Sequence, residues 1–578
     1  LIDTPALEPA EFVSQLETAA RSDTTIDLPA TLEKVEAVLK RARRDRPGLQ
    51  RQEVYFLSDL CRVGWVPRQP HSADSVFVKR ARVLGRSASL VVIDLGQPGT
   101  DNLAITRLEA GHSYVTLARP AELEITLHNF GRQSRKNQTV ELLIDAHRVA
   151  RRPIDLAAGK SRLVRFSHRF DSPGSHTVET RVEKDRLAVD NHRWLVLPVR
   201  SALRALCVDG QPGGGDFRGA SAYLAVALAP PGPESLAAWV RPKIVPESAL
   251  LELDLSQYDC IFLCNVAQLT SSEARVLGRY VRAGGGLVFF LGDRVLDDRY
   301  NRELVDREPL LPARLQGTVE NANSDLDPLD YAHPIVEPFR GQEKAGLITT
   351  PIEKYVKLAL APDTTARVAL AARSGDPLIV EQPLGQGRVV LVATSADTSW
   401  TAMPLWPSYV PIVQEILAYA TGGRIAQRNI LVGEPLAGAV PASATDEVGR
   451  VLLPNGSEQT LLVRSEQGGR EWRFDATDPS GVYTVRFGAA GADELRFGVN
   501  VDTRESDLDK LTEEQLREEV WPGVTFDYQT TWQESDQPSP EPIERRGNTA
   551  RWLLCGVLAL LLVETFLGWR FGHHTTQP

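Results

Sequence analysis

At 578 residues the chain is too long for a single hydrophobic core, so three to five domains are expected. Its formal charge of −10 is mild and reads as spread out, which argues against a nucleic-acid backbone as partner. The 43 Gly and 38 Pro predict many turns and a large β content, and the five cysteines (Cys61, Cys207, Cys260, Cys264, Cys555) lack metal-ligand spacing.

The chain opens LIDTPALEPAEF, with no initiator Met, basic stretch or apolar stretch, so a fragment of a longer product is expected. Over residues 1–106, helical apolar spacing at 8–22 and 28–44 alternates with the apolar runs EVYFLSD (53–59) and ASLVVIDLG (88–96). Runs of that kind suit buried parallel strands, here half of a doubly wound sheet. Residues 107–200 switch to period-two segments punctuated by turn residues, which predicts an Ig-like β-sandwich.

The βα rhythm returns over 201–423. LRALCVD (203–209), YDCIFLC (258–264), GLVFFLG (286–292) and GRVVLVAT (387–394) read as strands, with a helix over 271–286 ending at Gly. Cys260 and Cys264 bracket CIFLC and are expected as small buried hydrophobes. A β-rich domain over 424–503 is marked by the turn PNG at 454–456. A charged helix over 505–520 and a Pro/Gln/Glu-rich linker over 531–546 fill 504–548.

Residues 549–572 hold WLLCGVLALLLVETFLGW, Trp552 to Trp569, with one ionisable side chain, Glu564. Eighteen such residues span about 27 Å as a helix, so a C-terminal transmembrane helix is expected. Glu564 is then a candidate assembly contact with a polar group on another membrane helix. The fold class expected is multidomain α/β plus β-sandwich, tethered at its end.

Several segments resemble known families. FLSD (56–59) and DLPATL (27–32) make 1–106 similar to the C-terminal part of a von Willebrand factor A domain. That resemblance implies Asp59 as a ligand in a site for a hard divalent cation such as Mg, completed only if a DxSxS loop precedes Leu1. Ile26 stands where that family has its Thr, with Thr25 one residue off. Asn129-Phe130-Gly131 and Asp190-Asn191 make 107–200 similar to bacterial cell-adhesion-related domains, which implies a spacer or interaction role.

The 201–423 segment resembles the flavodoxin-like fold of class I glutamine amidotransferases, which carry a nucleophilic Cys at a strand-to-helix elbow and a His-x-Glu pair after a later strand. Here Asp293-Arg294 stands at the elbow and Ser395-Ala396-Asp397 at the later position. Taken together, the domain order resembles planctomycete-type, Bat-like membrane proteins with an aerotolerance-regulator N-terminal region.

The expected function is a non-catalytic, membrane-anchored protein mediating protein–protein interaction or assembly at the bacterial envelope, with its bulk extracytoplasmic and no cofactor. Expected partners are the membrane and other envelope proteins, a MoxR-type ATPase among them. The alternative is an amidotransferase- or hydrolase-like enzyme, or a small-ligand sensor, using a cleft lined by Asp293, His333, Trp400 and Trp406.

Overall fold

The computed structural model describes residues 22–45, 52–66, 76–97, 101–531 and 556–567, less short gaps such as 214–216, 232–238, 441–447 and 489–492, and scattered positions elsewhere. Most of the helix expected over 8–22, the linker from 532 onward, Cys555, Trp552 and Trp569 lie outside the described residues. The chain divides into two compact units. One comprises Leu1–Asp27, Cys61–Val66 and Pro98–Asp509, and the other Leu28–Leu60, Pro67–Gln97 and Lys510–Pro578.

In the smaller unit, α1 (Leu28–Asp45), β1 (Glu53–Ser58), α2 (Val76–Ser87) and β2 (Ser89–Asp94) follow the expected rhythm. β1 and β2 pair in parallel from Glu53↔Ser89 to Ser58↔Asp94, as apolar runs joined by a helical crossover do. A third parallel strand, Asp527–Gln529, comes from far along the chain and pairs with β2. Trp521 anchors this segment, fully buried and edge-on to Phe56 at 5.2 Å and Phe526 at 5.6 Å. Residues 510–531 therefore belong to this unit's core, and the charged helix expected over 505–520 is broken into a short helical turn at Thr503–Ser506 and a helix from Glu513 to Val520.

The larger unit begins with the sandwich. β3 (Leu103–Ala110), β5 (Ala121–Asn129) and β8 (Ser161–His168) form one sheet. β4 (Val115–Thr116), β10 (His192–Arg200), β9 (Gly174–Arg181), β6 (Arg135–Ile144) and β7 (His147–Leu156) form the other, in that order. Strict alternation along β5 sends Leu123, Ile125 and Leu127 into the core between the sheets. Asn129 closes two loops: its amide donates to the Gln133 carbonyl at 2.8 Å, and its oxygen accepts from the Gly131 N–H at 3.0 Å. A Cβ at Gly131 would fall 2.5 Å from Asp101 Oδ1, which explains the glycine there.

An eight-stranded sheet follows. β12 (Val240–Pro246), β11 (Leu203–Asp209), β13 (Cys260–Cys264), β14 (Gly286–Phe290) and β20 (Gly387–Val392) run parallel in that spatial order. β19 (Pro377–Leu384), β18 (Arg367–Ala372) and β16 (Leu326–Asp327) extend it antiparallel. Every residue of β13 and β14 is buried, because α3 (Ala222–Leu228), α4 (Ser271–Arg282) and α5 (Tyr409–Thr421) flank the parallel strands. A capping box between Thr270 and Glu273 starts α4, and Gly284, at φ 101°, follows its end.

Seven further strands complete the unit in the order β21 (Asn429–Leu431), β27 (Asp493–Asn500), β26 (Gly481–Phe487), β23 (Val448–Leu452), β24 (Glu458–Glu466), β25 (Gly469–Phe474), β22 (Leu436–Ala439). Two asparagines join this domain to the sandwich. Asn500 Oδ1 accepts from the Trp194 N–H at 2.8 Å while its amide donates back to the Trp194 carbonyl at 2.9 Å. Asn429 does the same at Val196, at 2.7 and 3.0 Å.

The expectation of a transmembrane span over 549–572 is corrected. The helix seen there covers 556–567, and no helix among the described residues is long and apolar enough to cross a membrane. The membrane-anchored localisation, and the sidedness inferred from it, fall with this span. Glu564 sits exposed on the 556–567 helix.

Candidate functional site

Open parallel sheets present their loops at the strand C-termini, where ligands usually bind. At that edge β11 ends in Asp209, whose buried carboxylate accepts from the Ser221 hydroxyl at 2.7 Å and from the Gln211, Ala220 and Ser221 N–H groups. β13 is followed by Asn265, held at φ 52°. Its amide donates to Asp293 at 2.8 Å and to Gln211 at 3.3 Å, and its oxygen accepts from the Arg294 N–H at 2.9 Å. A Cβ at Gly292 would lie 2.5 Å from Asn265 Oδ1, so the elbow after β14 is a glycine closing onto this amide.

This edge ties three loops together through Asn265, and among its described residues no nucleophile and base are aligned. Asp293 serves as an acceptor within the tie. After β20, Asp397 accepts from the Ser399 N–H at 2.9 Å, and Ser395 donates to the Asp397 carbonyl at 3.0 Å. The nearby thiols are sealed. Burial pushes the Cys207 thiol up to about 12, and burial also drives Cys264 well above its usual range.

His333 lies at the opposite end of the sheet. The Ile335 N–H donates to His333 Nδ1 at 3.2 Å, which leaves the ring proton on Nε2, facing Glu381 Oε1 at 3.6 Å. Its ring sits 4.8 Å from Tyr419, near the C-terminus of α5. The following residue, Ala420, abuts Gly286 at the start of β14. Burial pushes the Tyr419 hydroxyl up to about 12, with the Arg388 guanidinium 4.2 Å above its ring.

The expected cleft of Asp293, His333, Trp400 and Trp406 is therefore not assembled. Asp293 and His333 occupy opposite strand ends, Trp400 is buried in the core, and Trp406 is half-buried against Gly346. The physical reason is topological: the HPI segment, entered from β16, packs on Glu381 of β19 and on Tyr419 near the end of α5, away from the loop after β14 that carries Asp293.

The smaller unit places Asp59 exposed after β1. The buried strand-end carboxylate there is Asp94. It accepts from Lys510 Nζ at 2.5 Å, from the Tyr528 hydroxyl at 2.7 Å and from the Gly96 N–H at 2.9 Å. Burial acts to raise its pKa, and these hydrogen bonds outweigh burial and hold it below the usual range. The Lys510 ammonium thus supplies the positive charge at this carboxylate. Among the described residues no group of three or more His, Cys, Asp or Glu could hold a metal ion.

Sequence reasoning missed a cavity of about 690 Å³ on the HPI side, lined by Tyr114, Arg119, Trp239, Glu337, Gln414 and Glu415 among others. The detectable signal was Gln414-Glu415, two polar residues inside the apolar helix run VPIVQEILAYA.

Two family models match parts of the chain: CARDB over residues 100–191, and a domain of unknown function (DUF8816) over residues 428–499. No curated protein matches the chain. Among solved structures, the chain is similar to the cytoplasmic protein STM1381 of Salmonella typhimurium LT2. The identity is 17%, covering 38% of this chain and 99% of that one, at a TM-score of 0.29. It is also similar to the CARDB domain of the PF1109 protein from Pyrococcus furiosus, solved in complex with di-metal ions. There the identity is 15%, the coverage 18% and 97%, and the TM-score 0.17. The exo-beta-1,4-mannosidase Op5Man5 from Opitutaceae bacterium strain TAV5 shows 15% identity over 38% of this chain and 35% of that one, at a TM-score of 0.23. The chain is thus a β-rich multidomain protein with an Ig-like CARDB sandwich.

Proposed function

We propose that the chain is a non-catalytic, multidomain protein-binding assembly whose sandwich docks an acidic protein partner. The finer reading is a Bat-like arrangement: a partial von Willebrand A-like unit, an Ig-like sandwich, a flavodoxin-like, amidotransferase-like domain and a β-domain. The Asn265 tie and the sealed thiols support the absence of chemistry.

The observation that carries the reading is a local charge excess. Residues 132–169 hold ten Lys and Arg against three Asp and Glu, in a chain of net charge −10. The charge is not spread evenly after all. These residues build β6, β7 and β8, of which β7 and β8 are terminal strands of the two sheets, and Arg152 reaches from β7 to the Phe166 ring of β8 at 5.2 Å. Exposed Arg151, Arg162 and Arg165 flank Val149 and Leu163, which are 44% and 42% exposed. Arginines around small apolar patches are what acidic protein surfaces engage. Edge arginines also deter strand-to-strand aggregation.

Cross-linking mass spectrometry on complexes of the native full chain tests this, with a MoxR-type ATPase as one partner to assay. Cross-links are expected to concentrate over 147–169 and to disappear when Arg151, Arg162 and Arg165 are changed together to Glu. Partners retained by the charge-reversed chain, with cross-links elsewhere, overturn the reading.

A further inference from the structure

The 690 Å³ cavity is walled by two aromatic rings and floored by acceptors. Tyr114, from the sandwich, and Trp239, which precedes β12, supply the rings. Glu337 follows the HPI segment, and Gln414 and Glu415 come from mid-α5. A cavity of this size, lined by apolar rings and polar groups in similar measure, has the dimensions of a small-molecule site.

The polar groups are unbalanced in one direction. Gln414 donates both amide hydrogens, to the Ala227 carbonyl at 2.8 Å and the Leu228 carbonyl at 3.0 Å. Two carbonyl acceptors fix the orientation of the amide, and its Oε1 is buried without a hydrogen-bond partner. Burial, and then the like charge of Glu337, push the Glu415 carboxyl above its usual range, with Arg119 opposing them. That guanidinium lies 5.2 Å above the Trp239 ring. His112, also in the lining, is held below its ordinary value by burial and by Arg119, so at neutral pH it adds no positive charge. The Gln414 oxygen is itself sealed from the cavity, so in the lining two carboxylates face one guanidinium. The missing component is a hydrogen-bonding cation.

We propose that this cavity binds a small primary amine with an apolar body, its ammonium set against Glu415 and Glu337 and its body between Tyr114 and Trp239. A primary ammonium brings three N–H donors for these acceptors, and aromatic walls stabilise it further through their ring faces. A quaternary ammonium has the charge without the donors, and an alcohol has a donor without the charge. Binding here would couple the sandwich to the α/β domain, because Tyr114 and Arg119 belong to one and Trp239, Glu337, Gln414 and Glu415 to the other.

The test uses the full chain with phenethylamine, followed by calorimetry and saturation-transfer NMR, beside 2-phenylethanol and the trimethylammonium analogue. The amine is expected to bind saturably, with the alcohol and the quaternary analogue at least tenfold weaker. Glu415→Gln and Glu337→Gln are each expected to weaken the amine about tenfold. Glu337 is exposed, so its variant keeps the test decisive if Glu415→Gln fails to fold. Equal binding of alcohol and amine, no saturable binding of the amine, or unchanged affinity in the folded variants overturns the proposal.

Discussion

Asp190 follows the last turn before β10 with its side chain sealed from water, and the Asn102 amide donates to one of its oxygens at 2.7 Å. Burial outweighs that bond and the Ser506 contact, and pushes its carboxyl up to about 6. The sign follows from proton binding. The folded chain holds this proton more tightly than the unfolded one, so stability falls as pH rises from about 4, the unfolded value, to above 6. A shift of this size corresponds to about 3 kcal/mol at most. Asp190→Asn keeps an acceptor for Asn102 and never ionises. Its Tm is expected to exceed that of the natural chain at pH 8, and the difference to vanish near pH 4. A constant difference across that range would show that folding does not shift the Asp190 carboxyl.

At the scale of elements, the Asn429 and Asn500 amides grip β10 much as a neighbouring strand would. Each amide pairs with both the N–H and the carbonyl of one residue, so the C-terminal β-domain holds the sandwich by side chains standing in for a backbone ladder. Replacing one with Ala strands two backbone groups and costs about 1–3 kcal/mol. Asn429→Ala with Asn500→Ala is expected to raise hydrogen exchange at the Trp194 and Val196 amides, while β5 stays protected. Unchanged exchange would mean that other contacts hold the two domains. This device was illegible in the sequence, because an isolated Asn near a strand end reads as a turn residue. By contrast β11, β13, β14 and β20 were readable, since strands buried on both faces must be continuous apolar runs. The short pieces β15 (Arg314–Val319), β16 and β17 (Tyr355–Ala359) carry no such signature. Without them the HPI segment has no predicted place in the sheet, which is why His333 is grouped with Asp293 in the expected cleft and the cavity beside it goes unseen.

At the scale of the molecule, the smaller unit is assembled from stretches more than four hundred residues apart in sequence. Residues 28–60 and 67–97 supply two strands, and 510–531 supply the third strand, the Trp521 core and the Lys510 and Tyr528 bonds to Asp94. Two parallel strands alone are too few for a stable sheet, and Asp94 without Lys510 would be a half-buried carboxylate lacking its cation. A chain ended after Asp509 is therefore expected to lose the smaller unit and keep the larger one, whose own core runs from β3 to β27. Hydrogen exchange reads this directly. The amides of 53–58 and 89–94 should exchange at unfolded rates in the shortened chain, while those of 260–264 and 286–290 keep the protection of the full chain. Protection of β1 and β2 in the shortened chain would show that the first ninety-odd residues hold a unit of their own, and the return of the chain at 510 would then be an addition to it.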